Sequence, residues 1–185
     1  MLRTTIDLDA IAHNTRRLRE QTSAELMCVV KADAYNHGVE RCVPVMEAGG
    51  ADAFGVATFA EARRVRELTT KPVLAWLWDP QEELPAGVDV GVPSFTHLQS
   101  LIDAPTAPTA YLKVDTGMHR SGIDEVRWQE AFELALDAQR KGKLTVAGLM
   151  THLSCADDPA DPYTDVQGAA FRRAIAQARQ VGLEV

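Results

Sequence analysis

The chain alternates short apolar runs with stretches in which apolar residues recur every three or four positions. The runs are rich in Val, Leu and Ala, and they predict strands that are buried on both faces. The periodic stretches predict amphipathic helices. The predicted strands are Leu2–Ile6, Leu26–Lys31, Phe54–Ala57, Val73–Leu77, Val88–Val92, Tyr111–Asp115 and Thr145–Thr151, and Leu183–Val185 resembles the start of another.

Capping residues mark several of the predicted helices. Asp9 is placed to cap the first helix, and Ser94 is placed to cap a helix that ends near Ile102. Thr58 and Glu61 have the spacing of a capping box at the start of a helix. The predicted helix ranges are Phe59–Leu68, Val39–Ala48, Glu125–Arg140 and Thr164–Val181.

This alternation predicts an α/β fold with a parallel sheet. Six strand–helix units follow the N-terminal helix at spacings typical of a (β/α)8 TIM-type barrel, a fold that takes about 250 residues. An open doubly wound sheet is the alternative. We favour a barrel truncated after about six strand–helix units, with residues 1–185 forming part of one barrel domain.

Composition narrows the class of protein. The 185 residues are 46% hydrophobic and 24% charged, which is typical of a soluble globular chain. A net charge of −7 without a basic cluster argues against a nucleic-acid partner. No apolar stretch is long enough to cross a membrane, and no metal-ligand spacing is present. The three scattered cysteines fit a reducing, cytoplasmic location.

Candidate chemistry falls where predicted strands end, which is where α/β folds of both kinds bind ligands. Lys31 ends the first barrel-type strand. Burying an ammonium group is costly, and a desolvated lysine amine is a good nucleophile for a carbonyl. Lys31 alternatively extends to solvent or pairs with Asp33. Arg120 follows the fifth barrel-type strand and His152 the sixth, so we expect the three side chains on one rim.

Three segments of the sequence resemble the alanine racemases, pyridoxal-phosphate enzymes of the barrel type (fold type III). The segments are Val30–Gly38 (VKADAYNHG), Lys113–Gly122 (KVDTGMHRSG) and Gly148–Asp157 (GLMTHLSCAD). Ile6–Asn14 and Phe54–Ala62 also match, so the resemblance covers essentially the whole chain in the family's order. One residue departs from the motif, because Asn36 stands where the family usually has glycine.

The resemblance implies a cofactor, pyridoxal 5'-phosphate, and a role for each matching residue. Lys31 carries the cofactor as a Schiff base and is the catalytic base on the D-alanine side. Tyr35 reaches the cofactor phosphate, and His152 stacks on the pyridine ring. Arg120 bonds the phenolic oxygen of the cofactor and lies near the substrate carboxylate. Lys113 matches a lysine that is often carbamylated in the family, and the carbamate would orient Arg120.

The implied function is the interconversion of L-alanine and D-alanine, which supplies D-alanine for peptidoglycan, by a cytoplasmic homodimer. In the family the second base is a tyrosine from a C-terminal β domain, contributed across the dimer. Residues 1–185 hold no matching tyrosine, so we expect this portion alone to racemise poorly. The alternatives are a broad-specificity amino-acid racemase, a fold-type-III decarboxylase and a non-catalytic pyridoxal-phosphate-binding protein.

Overall fold

A computed structural model describes residues 3–185 and has the predicted alternation of parallel strands and helices. The described residues form two compact units. The first contains the residues through Trp78 together with Glu82–Asp89, and the second contains Asp79–Gln81 and Val90–Val185. Within residues 3–185, no helix combines the length and the apolar character needed to cross a membrane.

The first unit contains three parallel strands and the helices between them. Its elements are α1 (Leu8–Glu20), β1 (Met27–Val29), α2 (Lys31–Asn36), α3 (Val39–Ala48), β2 (Ala53–Val56), α4 (Phe59–Arg66) and β3 (Val73–Ala75). Strand β2 pairs with β1 on one side and with β3 on the other. Phe54 and Phe59 are fully buried in the core of this unit.

The second unit repeats the pattern. Its elements are β4 (Asp89–Val92, which begins at the last residue of the first unit), α5 (Phe95–Asp103), β5 (Thr109–Lys113), a 3-10 turn (Glu125–Arg127), α6 (Trp128–Arg140), β6 (Thr145–Met150) and α7 (Tyr163–Val181). Strand β5 pairs in parallel with β4 and with β6. Trp128 and Phe132 of α6 fill the core. The indole N–H of Trp128 donates to the carbonyl of Ile123 at 2.8 Å.

Local capping explains where several helices begin. The Thr58 hydroxyl accepts the backbone N–H of Glu61, and the Glu61 carboxylate accepts the N–H of Thr58, so the predicted capping box is present. The Ser94 side chain caps α5 as predicted. The cap of α1 is Asp7 and not Asp9, because α1 begins two residues earlier than the sequence suggested and Asp9 lies inside its first turn.

Some predicted strands are wrong. Leu2 lies outside the described residues, and residues 3–6 form no strand, since no strand of the described part pairs with them. Residues 183–185 likewise form no strand. Burial on both faces holds for β2 and β3 but not for β1, whose residues are half-buried or exposed, nor for β6, in which only Val146 is buried. In the described structure β1 pairs on one side only, with β2, so it lacks the cover that its neighbours have.

Candidate active site

Lys31 follows the carboxyl end of β1, but it does not belong to the strand. The predicted strand to Lys31 is too long, because β1 ends at Val29 and Lys31 is the first residue of α2. The side chain is half-buried, and its Nζ lies 5.7 Å from the centre of the Tyr35 ring. Asp33 does not pair with Lys31; its carboxylate is occupied by Arg64, with Nη1 3.0 Å from Oδ1.

The helix that starts at Lys31 is left-handed. Ala32, Asp33, Ala34 and Tyr35 have φ between 51° and 58° and ψ between 44° and 49°, and Asn36 has φ 62°. For L-residues this conformation costs about 1–2 kcal/mol per residue. Strain of this kind persists where surrounding contacts enforce it, and it concentrates at functional sites. Asn36, which stands where the family usually has glycine, is compatible with this backbone, because asparagine tolerates the left-handed region better than most other non-glycine residues.

Two side-chain hydrogen bonds tie α2 to neighbouring elements. Oε1 of Glu61 accepts the N–H of Ala32 at 2.8 Å. Oδ1 of Asp33 accepts the N–H of Val39 at 3.0 Å, which fixes the turn against the start of α3. These contacts offset part of the conformational cost.

The end of α2 is held by a histidine. Nδ1 of His37 lies 2.8 Å from the carbonyl oxygen of Ala34 and 2.9 Å from that of Tyr35, so this nitrogen carries the proton and donates. The Tyr35 side chain itself is 55% exposed, which leaves its phenol open to a ligand. The first unit therefore brings the Lys31 amine and the Tyr35 ring together on one rigidly held turn.

In the second unit, a closed loop after β5 presents Arg120. The loop is pinned at its base, since the N–H of Ile123 donates to the Lys113 carbonyl at 2.8 Å and the Ile123 carbonyl accepts the N–H of Asp115 at 2.9 Å. Inside the loop, Oδ1 of Asp115 accepts the N–H groups of Gly117 and His119 at 2.9 and 3.1 Å. Arg120 itself is exposed.

Lys113 is the buried lysine of the described structure. It is 6% exposed, and its Nζ donates to the hydroxyl of Ser121. Burial lowers the pKa of Lys113, and the positive charge of Arg120 lowers it further, against a smaller opposing effect of Asp115. The sequence suggested a buried amine at the end of β1. The structure instead buries the Lys113 amine at the end of β5, where the positive charge of Arg120 acts on it.

His152 follows the end of β6 and is exposed. Its main-chain carbonyl is bound by a side chain of α7. Nε2 of Gln167 donates to the His152 carbonyl at 3.0 Å. Sequence reasoning missed Gln167, which is fully buried. A signal was available, because Gln167 has the helical spacing of Ala170, Ala174 and Ala178 and so lies on the buried face of α7.

Comparisons with known proteins identify the class to which this fold and these residues belong. Residues 6–185 match the family model described as "Alanine racemase, N-terminal domain". The alanine racemase of Corynebacterium efficiens is 53% identical over an alignment that covers 100% of this chain and 52% of that protein. The chain therefore belongs to the alanine racemase family.

Solved structures agree with this assignment. The crystal structure of alanine racemase from Corynebacterium glutamicum matches with a TM-score of 0.90 at 48% identity, covering 97% of this chain and 53% of that one. Alanine racemase from Bartonella henselae, solved with covalently bound pyridoxal phosphate, matches with a TM-score of 0.76 at 25% identity, covering 93% and 50%. The predicted α/β class of (β/α)8 type is confirmed. The chain spans about half the length of these relatives.

Proposed function

We propose that the protein containing this chain interconverts L-alanine and D-alanine with pyridoxal phosphate held covalently on Lys31. The observation that carries the proposal is the half-buried amine at the head of a strained, externally held turn in a chain of the alanine racemase family. Strain maintained by outside contacts is typical of a site that must hold one geometry.

The residues fit the cofactor by their chemistry. The Lys31 amine matches an aldehyde, the exposed phenol of Tyr35 matches a phosphate, and the exposed guanidinium of Arg120 matches a phenolic oxygen and a carboxylate. His152 offers a ring that can stack. When bound, pyridoxal phosphate withdraws electrons from the α-carbon of the amino acid and so makes its proton acidic enough to remove. Lys31 takes and returns that proton on the D-alanine side. That all four residues face one ligand stays a prediction.

We propose a second feature of this site, a carbamate on Lys113. The lowered pKa leaves a larger neutral fraction of the amine, whose nitrogen attacks the carbon of CO2 while one N–H proton leaves to solvent. The product is an anion beside Arg120 in place of a repelling cation. The native mass of the protein should exceed the sequence mass by one bound CO2, and Lys113→Met should abolish the difference. A native mass without it contradicts the carbamate.

The family also supports a wider assignment for the whole protein, which we propose as a cytoplasmic homodimer that supplies D-alanine for peptidoglycan. A C-terminal β domain would contribute a tyrosine as the second base across the dimer. Residues 1–185 alone should then racemise alanine poorly, and turnover by this portion at an enzyme-like rate would contradict the need for the second base.

Borohydride reduction tests the central assignment. The full-length protein is incubated with pyridoxal phosphate, reduced, digested and mapped by mass spectrometry. We expect the pyridoxyl group on Lys31, its loss in Lys31→Ala, and a fall in racemisation of at least about a thousandfold. Lys141→Ala is the control, because Lys141 is an exposed lysine paired with Asp137 and should leave the label unchanged. A label on another lysine, unchanged in Lys31→Ala, overturns the assignment.

A further inference from the structure

Three backbone N–H groups converge on the carboxylate of Glu61. Oε2 accepts the N–H of Ala57 at 2.8 Å and that of Thr58 at 3.1 Å, and both contacts belong to the start of α4. Oε1 accepts the N–H of Ala32 at 2.8 Å, 29 residues earlier in the chain. The capping box accounts for Oε2. It does not account for Oε1, which reaches the peptide that joins Lys31 to Ala32.

These hydrogen bonds keep Glu61 ionised. Burial alone would raise the pKa of the carboxyl, but the hydrogen bonds from Ala32, Thr58 and Ala57 outweigh that effect and lower its pKa. A carboxylate is a stronger acceptor for N–H groups than a neutral oxygen. The first peptide of α2 is thus held by a fixed negative charge on α4.

The contact between Glu61 and Ala32 matters because α2 is a left-handed turn that begins at Lys31. Within the turn, the N–H of Ala34 donates to the Val30 carbonyl at 2.9 Å and the N–H of Gly38 to the Asp33 carbonyl at 3.0 Å. The Ala32 N–H lies at the head of the turn, where Glu61 supplies its acceptor. Without that acceptor, the first left-handed residue after Lys31 loses the contact that offsets its conformational cost.

We propose that Glu61 is a positioning residue for Lys31. By holding the peptide that follows the lysine, Glu61 fixes the left-handed backbone at Ala32 and with it the direction in which the Lys31 side chain leaves the chain. This inference rests on the proposed function, since it assumes that Lys31 is the cofactor-bearing base.

The capping box itself supplies a matched pair of variants. Glu61→Gln keeps the size of the side chain but retains one acceptor oxygen, so the contact to Ala32 and those to Ala57 and Thr58 cannot all survive. Thr58→Ala removes the hydroxyl that accepts the Glu61 N–H and leaves the Glu61 carboxylate on Ala32. Both variants weaken the cap of α4, and Glu61→Gln alone disturbs the head of α2.

The test uses the full-length protein and three readouts, all measured where both variants remain folded. In Glu61→Gln we expect borohydride labelling of Lys31 to slow by about tenfold or more and the amide hydrogen of Ala32 to exchange faster. We also expect kcat to fall while KM for alanine changes by less than about threefold. Thr58→Ala should stay within about twofold of the wild type in all three.

The remaining outcomes distinguish a failure of this inference about Glu61 from a failure of the proposed function. If wild-type Lys31 is labelled and the two variants behave alike, Glu61 is only a helix cap and the inference fails. If wild-type Lys31 takes no label, the proposed function fails first. A wild-type measurement covers the case in which Glu61→Gln does not fold. The exposed Ala32 should then show amide protection comparable to Ala57, which donates to the same carboxylate, and exchange at the rate of an unbonded amide overturns the inference.

Discussion

The side-chain amide of Gln167 donates to the hydroxyl of Thr116, with 3.0 Å between Nε2 and Oγ1, although 51 residues separate them in sequence. The same nitrogen donates to the His152 carbonyl, and Oε1 accepts from Ser154 through its N–H at 2.8 Å and its hydroxyl at 3.0 Å. One buried amide therefore joins the loop that follows β5 to the loop that follows β6.

Replacing the side-chain amide of Gln167 should strongly lower the free energy of unfolding. Gln167→Met has a similar volume and no amide, so the variant loses the hydrogen bonds to Thr116 and to the His152 carbonyl and the two that Gln167 accepts from Ser154. We expect the free energy of unfolding to fall by about 2–4 kcal/mol, measured by urea denaturation. Gln139→Met is the control, because Gln139 accepts one N–H, that of Val146, at the other end of β6. Its loss should cost about 1 kcal/mol, and equal losses in the two variants would contradict a hub role for Gln167.

Gly122 closes the Arg120 loop at a point where no side chain fits. Its φ is 131°, and a Cβ there would lie 2.7 Å from the backbone nitrogen of Asp115 and 2.9 Å from the carbonyl carbon of Val114. Gly122→Ala should lower the free energy of unfolding by about 3 kcal/mol. Gly142 has φ 66° and open space around it, so Gly142→Ala should lose about 1 kcal/mol from backbone strain alone. Thermal denaturation of both variants measures the difference between their losses of stability. Equal losses would show that the close contact of Gly122 with the backbone of Val114 and Asp115 is unimportant.

Substitutions of Asn36 test whether α2 is left-handed, because the two hands predict opposite signs for the change in the free energy of unfolding. Asn36→Ala places alanine at φ 62° and should destabilise the protein by about 1 kcal/mol, whereas Asn36→Gly should be close to neutral. Asn14 lies on the exposed side of the right-handed helix α1. Asn14→Ala should stabilise by about 0.5 kcal/mol, because alanine is the better helix former. Urea denaturation distinguishes these outcomes, and a stabilising Asn36→Ala would mean that α2 is right-handed.

The Asp115 carboxylate should make stability depend on acid pH. Burial alone would raise the pKa of Asp115, but hydrogen bonds from the N–H groups of Gly117 and His119 outweigh it and lower the pKa. The stabilisation is therefore complete above the unfolded-state pKa of about 3.9 and is lost as pH falls through the lower folded-state value. Asp115→Asn should lower stability at neutral pH and flatten the decline toward about pH 3.

Denaturation curves across this range provide the measurement. Asp124→Asn is the matched control, since Asp124 is an exposed carboxylate near the same loop, and it should leave the acid decline unchanged. The same slope for Asp115→Asn and for the wild type would show that other carboxyl groups produce the decline.

Local signals in the sequence predicted local structure well. The bounds of α3, the capping box at Thr58 and Glu61, and the Ser94 cap involve residues within a few positions of each other, where spacing alone carries the information. The order of strands and helices was also predictable, because continuous apolar runs and helical periodicity are distinct patterns.

What escaped prediction depends on partners far apart in the chain. Of the residues of α2, only Asp33 and Asn36 are of types that adopt left-handed backbone readily, and the hydrogen bonds of Glu61 with Ala32 and of Asp33 with Val39 hold that backbone. Burial was one of the alternatives for Lys31, whereas the structure buries Lys113, because β5 is paired on both sides and Ser121 of the Arg120 loop contacts its amine. Gln167 was overlooked because its four hydrogen bonds reach residues 13 to 51 positions away.

The left-handed turn has a consequence for the order in which this part of the chain becomes structured. A right-handed helix of ordinary residues can start to form by itself, whereas α2 is unfavourable until the carboxylate of Glu61 is already held at the start of α4. The segment that carries the Lys31 amine should therefore be among the last to order during folding. The amine therefore gains its fixed position only after the start of α4 has formed.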